Sequence, residues 1–284
     1  IESVLNEILT LNRDVYVLND SSTDRTLDIL EKINNTKNFT IINNVKNEGA
    51  GKSTLKIIER AKNDGFEFVI KVDGDNQFRL DDISKIINLH EEKNYDFIKS
   101  NRFWENGIEG KIPKNRYFGN LFATIILQFI SGTNKLFDPL NGLFGVNVNV
   151  LNLINKKVYP KRYGYPFYFS GLTAISFFKV FQINNVVTYG NEKSNLKSIK
   201  MFFTLMRLSF HFLILKIKNK ILIGKYQRSA FLDFVFLFFL FLNFIVFLRF
   251  VLIFTSIQIF NTSFIGIVGI NTIINFILYH VSIY

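Results

Sequence analysis

Residues 68–77 read FVIKVDGDNQ, and this stretch decides the fold class. Residues 68–72 form a short, mainly apolar run that is typical of a strand, and an acidic turn follows it directly. Two earlier stretches repeat the arrangement. Residues 15–18 lead into the polar cluster at 19–24, and residues 39–42 lead to the glycine-containing segment at 47–51. Three strands that each end in a polar cluster indicate one shared site.

The segments between these strands carry apolar residues at helical spacing. Residues 26–33 form one such segment, the stretch through Leu55, Ile58 and Ala61 another, and residues 82–89 a third, before a further strand at 95–98. Strands that alternate with helices of this length predict βαβ units and a mostly parallel α/β sheet. Because ligands bind at the carboxyl ends of such strands, we expect the three polar clusters to meet there.

The acidic turn after the strand at 68–72 is a candidate metal site. Asp73 and Asp75 are two residues apart and joined by a glycine, and Gln77 adds a neutral oxygen. Hard oxygen ligands favour Mg²⁺ or Mn²⁺, and these ions keep coordination positions open for substrate phosphates. The alternative is a solvated acidic turn, in which Asp and Gly are common.

The other two clusters suit a nucleotide. Asp20 and Ser22 follow the first strand, where they could bind a base and ribose or serve as ordinary helix caps. The sequence GAGKST at 49–54 resembles a phosphate-binding loop, but that pattern requires glycine at position 46, which is lysine. We therefore expect the glycines to let the backbone approach a nucleotide closely.

Two arginines and a turn complete the set of candidates. Arg102 and Arg116 could clamp a diphosphate, since guanidinium matches phosphate geometry, although either alone is more often a surface residue. Residues 138–142, Asp-Pro-Leu-Asn-Gly, form a turn signature. The three histidines have no partners at metal-ligand spacing.

Charge and hydropathy divide the chain into three parts. Residues 1–192 have a globular composition. Residues 193–229 hold nine bases and no acid, which leaves only two charges of the net +11 for the rest of the chain. Residues 230–284 are almost uncharged and predict two spans, at 231–251 and 264–282. Since the bases precede the first span, the positive-inside rule predicts a multi-pass membrane protein with a cytoplasmic catalytic domain. The basic segment favours amphipathic helices on anionic lipids over nucleic acid.

Taken together, these motifs resemble the family 2 glycosyltransferases of GT-A fold, and most closely the dolichyl- and undecaprenyl-phosphate sugar transferases. The family pattern DDGSTDGT is echoed at 19–26, N-x-G-x-G at 47–51, DADGQ at 73–77, and GSR at 100–102. The resemblance implies a Rossmann-like domain over 1–192, basic amphipathic helices over 193–229 and a transmembrane hairpin over 230–284. It also implies that the family's first strand precedes Ile1, so we expect a truncated N-terminus.

The resemblance assigns roles to individual residues, none of which the spacing alone establishes. It implies that a divalent cation is held by Asp73, Asp75 and Gln77, and that Asp75, Arg116 and Asp138 act in catalysis, with Asp138 near the acceptor. The donor-binding residues that it implies are Asp20, Ser22, Asn47, Gly49, Asp73 and Arg102. Where relatives often have a glutamate after G-F-x-F, this chain has YPFYFS at 165–170.

Three functions compete at this point. The first is transfer of a sugar from a GDP- or UDP-sugar to a polyprenyl phosphate, undecaprenyl or dolichyl. The second is transfer to a glycan or glycolipid hydroxyl in the cell envelope, and the third is a non-catalytic membrane scaffold. A phosphate acceptor is already anionic and needs no strong general base, so the lack of a base carboxylate at 165–172 favours the first. The sequence is also compatible with a homo-oligomer.

Overall fold

The computed structural model describes residues 1–104, 108–109, 114–132, 136–176, 178–188, 198–223 and 235. The chain divides into two compact units, residues 1–212 and 213–284. The helices and strands of the described residues are α1 (Glu2–Ile8), β1 (Tyr16–Asn19), α2 (Thr26–Asn34), β2 (Thr40–Asn43), α3 (Ala50–Asn63), β3 (Phe68–Lys71), α4 (Leu80–Lys93), β4 (Phe97–Asn101), β5 (Ile108–Glu109), α5 (Lys114–Ser131), β6 (Phe144–Asn147), α6 (Tyr165–Ala174), β7 (Val180–Asn184), β8 (Val187–Thr188) and α7 (Ser198–Ile223).

The predicted alternation of strands and helices is confirmed from β1 to β4. The helices form where apolar residues recur on one face, so that Leu30 and Ile33 of α2, and Ile83 and Ile86 of α4, are buried against the strands. Helix α4 ends at Asn94, whose φ of 50° lies in the left-handed region that Asn tolerates. The first three strands end within one residue of their predicted ends, whereas β4 begins at Phe97 and continues to Asn101, beyond the predicted 95–98.

The sheet is mixed rather than mostly parallel. Strand β1 pairs with β2 in parallel, and the larger sheet has the order β3-β6-β4-β7. Strand β6 runs antiparallel to both of its neighbours, while β4 and β7 are parallel. Strands β5 and β8 form a third, two-stranded parallel pair. Because β6 comes late in the chain and enters between β3 and β4, it brings the loop that precedes it to the carboxyl end of β3.

Two apolar cores follow from this division of strands. One joins α4 to the larger sheet through residues that include Ile86, Ile98 and Leu143. The other packs α1 and α2 together with the start of β2 through Leu5 and Leu30, among others. One core thus packs on the larger sheet and the other on the β1–β2 pair.

Helix α7 carries the predicted amphipathic segment. Leu205, Leu208 and Phe212 form its buried stripe, and the Phe212 ring lies 6.1 Å from that of Phe167 in α6, measured between ring centroids. Within the described residues, no helix combines the length and apolarity needed to cross a bilayer. The predicted spans at 231–251 and 264–282 lie outside the described residues, apart from Val235.

Candidate functional site

Asp73 lies just past the end of β3 and is paired with Lys71 of the same strand. The Lys71 ammonium donates to Asp73 Oδ1 and lies 5.3 Å from the centre of the Tyr165 ring. Burial acts to lower the pKa of Lys71, but the adjacent Asp73 carboxylate and Tyr165 together outweigh it and raise the pKa above its ordinary value. Lys71 therefore stays charged and holds Asp73 in place.

Gly142 permits this arrangement because no larger residue fits beside Asp73. A Cβ at position 142 would lie 2.0 Å from Asp73 Oδ2 and 3.2 Å from Lys71 Nζ. The turn at 138–142, which the sequence alone identifies only as a turn, thus closes over the strand end of β3. Its backbone is tightened by the Asn141 amide, which donates to the Asp138 carbonyl at 3.1 Å.

Asp75 and Gln77 follow in an exposed turn. The Gln77 amide donates to Asp75 Oδ1 at 3.2 Å, and Asn76 between them has a φ of 62°. Across the described residues, no group of three or more His, Cys, Asp or Glu side chains is arranged to hold a metal. Mg²⁺ and Mn²⁺ beside a nucleotide, however, use one or two carboxylates together with phosphate oxygens. Asp75 with Asp73 fits that second mode of binding.

Asp20 joins the ends of β1 and β2 to the start of α3. Its Oδ1 accepts from Asn44 Nδ2 and from the Glu48 amide, both at 2.8 Å, and its Oδ2 accepts from the Gly49 amide at 2.8 Å. Burial acts to raise the pKa of Asp20, but these hydrogen bonds outweigh it and the pKa lies below its ordinary value. Asp20 is therefore a carboxylate at neutral pH.

Asn47 and Ser22 border the same loop. Asn47 Nδ2 donates to the Asp20 carbonyl at 3.3 Å, and the Ser22 amide donates to Asn19 Oδ1 at 3.1 Å. The Ser22 side chain is exposed. The predicted donor residues 20, 22, 47 and 49 are thus adjacent in the structure, and their contact with a nucleotide stays a prediction.

Gly49 and Gly51 approach the protein's own backbone closely. Gly49 has a φ of 94°, and a Cβ there would lie 2.7 Å from the Lys161 carbonyl oxygen. A Cβ on Gly51 would lie 2.1 Å from the Pro160 carbonyl oxygen. The Gly51 amide also donates to the Arg162 carbonyl at 3.2 Å. These glycines therefore let the loop at 160–162 seal the start of α3.

Arg102 and Asp138 are bound to each other. Arg102 Nε donates to Asp138 Oδ2 at 2.7 Å, and Nη2 donates to Oδ1 at 2.8 Å, which is a bidentate pair. The Arg102 amide and Asn141 Nδ2 also donate to Asp138 Oδ2, at 3.0 and 3.2 Å. Asp138 is fully buried. The structure thus pairs the predicted phosphate ligand with the predicted acceptor-side carboxylate, so that Asp138 orients Arg102.

Lys99 is a fully buried lysine that the sequence analysis did not single out. Its ammonium donates to the Asn141 carbonyl and lies 5.2 Å from the centre of the Phe144 ring. Burial lowers the pKa of Lys99 to about 7, with the positive charges of Arg102 and Lys71 acting in the same direction and Asp138 opposing them. The available signal was a lysine directly after the apolar pair Phe97 and Ile98 of a predicted strand.

Arg116 lies in the first turn of α5 and is half-buried. The sequence predicts it as a phosphate ligand, and this role stays a prediction. Asn120, one turn later on α5, is buried.

One cavity connects the strand-end clusters. It has a volume of about 760 Å³, and its lining includes Asp20, Asn47, Gly49, Asp73 and Arg162. The clusters that follow β1 and β3 thus open onto the same space, as the positions of the strand ends predict. Lys71 lies on the wall of this cavity as well, beside the Asp73 carboxylate.

The chain matches one protein-family model and resembles several known proteins. Residues 1–159, more than half of the chain, match the model of Glycosyl transferase family 2. An uncharacterized protein of Methanocaldococcus jannaschii is 32% identical over 126 residues, which are 43% of this chain and 53% of that protein. The chain therefore spans about half the length of this relative.

Two further proteins are similar to the chain, one in sequence and one in fold. The UDP-N-acetylglucosamine–dolichyl-phosphate N-acetylglucosaminyltransferase of Methanococcus voltae is 25% identical over 182 residues, 57% of this chain and 70% of that protein. Glucosyl-3-phosphoglycerate synthase of Mycobacterium tuberculosis, crystallised with Mn²⁺, UDP and phosphoglyceric acid, has a TM-score of 0.57 at 15% identity. The match covers 74% of this chain and 73% of that one, and it shows a shared GT-A fold.

Proposed function

The chain belongs to glycosyl transferase family 2, and we propose that it transfers a sugar from a nucleotide-sugar donor to a polyprenyl phosphate at a membrane surface. The observation that carries the donor part is the cavity between β1 and β3, whose lining at the carboxyl ends of these strands includes both Asp20 and Asp73. In α/β folds, nucleotides bind beyond the carboxyl ends of the strands, in a crevice between two of them. UDP-sugars and GDP-sugars are both candidates for the donor.

A divalent cation, Mg²⁺ or Mn²⁺, completes the donor site in this proposal. Asp75 and Asp73 would hold the ion, and Gln77 lies in the same turn. The ion, when bound, offsets the charge that builds on the nucleoside diphosphate as it leaves. The M. tuberculosis structure with Mn²⁺ and UDP supports this requirement by analogy of fold.

The cationic cluster behind Asp73 favours an anionic substrate. Besides burial, the charges of Arg102 and Lys71 lower the pKa of Lys99 while those of Asp138 and Asp73 raise it, so these groups lie close together. Lys71 and Arg102 supply cationic donors beside Asp73 and Asp138, so a phosphate at the edge of the cluster would meet charge-assisted hydrogen-bond donors. Arg102, oriented by Asp138, and Arg116 are the phosphate ligands that we propose.

The acceptor part rests on a relative and on surface chemistry. The M. voltae relative is named for transfer to dolichyl phosphate. Helix α7 exposes an apolar stripe, Phe202, Met206 and Phe210, on the side away from its buried stripe. The helix contains no acid. An exposed apolar stripe on a basic helix suits the surface of a bilayer with anionic lipids.

Helix α5 extends this apolar surface within the first unit. Phe118 and Ile125 are exposed, and the Phe122 ring stacks on that of Phe202 with centroids 5.4 Å apart. We therefore propose that α5 and α7 face the membrane. In this arrangement the catalytic domain is cytoplasmic and residues 230–284 supply the spans.

A transfer assay on the full chain in nanodiscs tests the proposal. Radiolabelled UDP- and GDP-sugars are offered with polyprenyl phosphate, with the matching polyprenol or with envelope glycans as acceptors. We expect label only on the lipid phosphate and only with Mg²⁺ or Mn²⁺ present. Transfer to polyprenol or glycan hydroxyls instead would support the second function. Absence of both transfer and metal-dependent nucleotide binding would support a scaffold.

Asp75→Asn separates the metal site from the rest of this proposal. We expect at least a 100-fold loss of transfer with the fold intact, because the variant keeps the shape of the side chain and removes its charge. Asp81→Asn, an exposed carboxylate on α4, is the matched control and should transfer at the normal rate. Equal activity of the two variants would contradict the metal site.

A further inference from the structure

A loop from the second half of the first unit lies across the start of α3. It consists of residues 159–164, directly before α6, and is called the covering loop below. The Gly51 amide donates to the Arg162 carbonyl at 3.2 Å, and the Lys52 amide donates to the Lys161 carbonyl at 2.9 Å. Free amides at the start of a helix are a common binding site for phosphate. Two of the first amides of α3 are thus already bonded to the protein itself.

Both ends of the covering loop are anchored. At one end, the Tyr159 hydroxyl donates to the Gly51 carbonyl at 3.0 Å, and Tyr159 is buried. At the other end, Gly164 has a φ of 91°, and a Cβ there would lie 3.2 Å from Thr204 Cγ2 of α7. A residue with a side chain would be strained at this position. The backbone on either side of Arg162 is therefore held in place.

The Arg162 side chain lies at the proposed donor site. It is exposed, and it lines the cavity that Asp20 and Asp73 also line. Its Cγ lies 2.5 Å from the position that a Cβ on Gly49 would occupy. The Gly49 amide donates to Asp20 Oδ2 at 2.8 Å, so the stem of Arg162 passes beside the residue that binds Asp20. Lys161, the other base of the covering loop, is exposed as well but does not line this cavity.

Two carboxylates make this end of the cavity negative. Asp73 is offset by the Lys71 ammonium. Asp20 accepts its hydrogen bonds from neutral amide groups, which stabilise its charge without cancelling it. Within the part of the chain that the structure describes, Arg162 takes part in no ion pair. Its guanidinium group is therefore available to an anionic ligand in the cavity.

A diphosphate suits this guanidinium group better than a neutral ligand does. Arginine presents a planar fork of N–H donors that matches two phosphate oxygens at once. The divalent cation of the proposed function offsets charge at Asp73 and Asp75, whereas Arg162 is the base that lies beside Gly49 and Asp20. Since the covering loop has taken up amides at the start of α3, a side chain must supply the donors that the helix no longer offers.

We propose that Arg162 binds the diphosphate of the nucleotide-sugar donor and that the covering loop positions it for this contact. The identity of the ligand rests on the proposed function. The motif glycines serve the donor indirectly in this arrangement, because they admit the loop that carries the arginine. The contact strengthens as the departing nucleoside diphosphate gains charge, so Arg162 also stabilises the leaving group.

Binding measurements with nucleotides alone test this assignment. UDP and GDP are titrated by calorimetry into the full chain in nanodiscs, with Mn²⁺ present. Arg162→Met should weaken binding of the preferred diphosphate on the order of 10- to 100-fold, as expected for the loss of a charge-assisted hydrogen bond. The parent nucleoside has no phosphate, and its affinity, measured by competition with a fluorescent nucleotide, should be unchanged.

Two further variants separate the contact from the shape of the loop. Lys161→Met is the matched control, because it removes the same charge from the same loop, and it should leave diphosphate affinity unchanged. Arg162→Lys retains the charge without the fork and should bind with intermediate affinity. All three variants should melt at the temperature of the unmodified protein, since the replaced side chains are exposed and the loop is anchored by backbone groups.

The outcomes distinguish this proposal from the proposed function. Equal diphosphate affinities of Arg162→Met and Lys161→Met would overturn the role of Arg162. Equal losses for the diphosphate and the nucleoside would also overturn it, because they would indicate a displaced loop. Binding that depends on Arg162, in a protein that transfers no sugar to any acceptor, would contradict the proposed function alone. An unmodified protein that binds neither UDP nor GDP would contradict both.

Discussion

Replacing Lys99 with methionine should stabilise the protein relative to the unmodified chain at acidic pH, and this gain should disappear at alkaline pH. Lys99 is fully buried, and its pKa is about 7 instead of the ordinary 10.5. The folded state therefore binds fewer protons than the unfolded state between these two values. Stability of the unmodified protein rises with pH across this window and is lowest below pH 7.

The expected size follows from the same pKa. A pKa of about 7 in place of 10.5 corresponds to about 5 kcal/mol, since one pKa unit is worth about 1.4 kcal/mol. Between pH 6 and pH 9 the unmodified protein should regain about 3 kcal/mol of this cost. Methionine has no such titration, but it leaves the Asn141 carbonyl without the lysine donor, which costs about 1–3 kcal/mol. Lys99→Met should thus be about 2–4 kcal/mol more stable at pH 6 and near neutral at pH 9.

Chemical denaturation in mild detergent measures this difference. Trp104 is the single tryptophan of the chain, and its indole donates to the Asn185 carbonyl at 2.7 Å, so its fluorescence reports on the region around Lys99. Lys32→Met, at an exposed lysine of α2, controls for the loss of a charge alone. Other titrating groups cancel because both proteins share them. Stability curves for Lys99→Met and the unmodified chain that run parallel from pH 6 to pH 9 would refute the reasoning.

Two further substitutions test the turn at 138–142. Gly142→Ala should weaken metal-dependent nucleotide binding at least 10-fold, measured by calorimetry, because the added Cβ displaces Asp73. Gly119→Ala is the control, since Gly119 has open space around it and its replacement should not change the affinity. Equal affinities of the two variants would contradict the role of Gly142 in positioning Asp73. Asp138→Asn should destabilise the protein by about 3 kcal/mol in denaturation, since Arg102 loses its ionic partner. The double variant with Arg102→Met should recover much of that loss, and a full loss in both would show that the cost lies elsewhere.

Local patterns account for the parts of the fold that could be predicted from the sequence. The strands at 68–72 and 95–98 are short apolar runs, and the polar residues after them mark their carboxyl ends. Since parallel connections bring successive strand ends to one edge, the meeting of Asp20 and Asp73 at one cavity followed without any knowledge of distant contacts. The same reasoning could not place β6, because it pairs with β3 across more than seventy residues and carries no periodic signal.

Long-range approach explains the remaining differences. The motif glycines at 49 and 51 were expected to face a nucleotide, yet the backbone they approach belongs to residues 160–162. Arg102 and Asp138 were assigned to different substrates and form one ion pair. Their spacing of 36 positions gives no indication of contact. A sequence shows which residue types lie at the ends of its strands. It does not show the partner of each charged side chain, because that partner depends on which loop folds over the strand end.

Both carboxylate oxygens of Asp20, a residue of the first motif, accept hydrogen bonds from the protein itself. A carboxylate offers about four acceptor positions, and three of them receive Asn44, Glu48 and Gly49. An asparagine there would place its amide hydrogens against a backbone N–H, so the loop at 47–49 would move. The loss of charge and the loss of loop position are therefore inseparable at Asp20. A carboxylate is required at the end of β1 because it positions the loop at 47–49. The nucleotide of the proposed function would bind to a loop that Asp20 has already positioned.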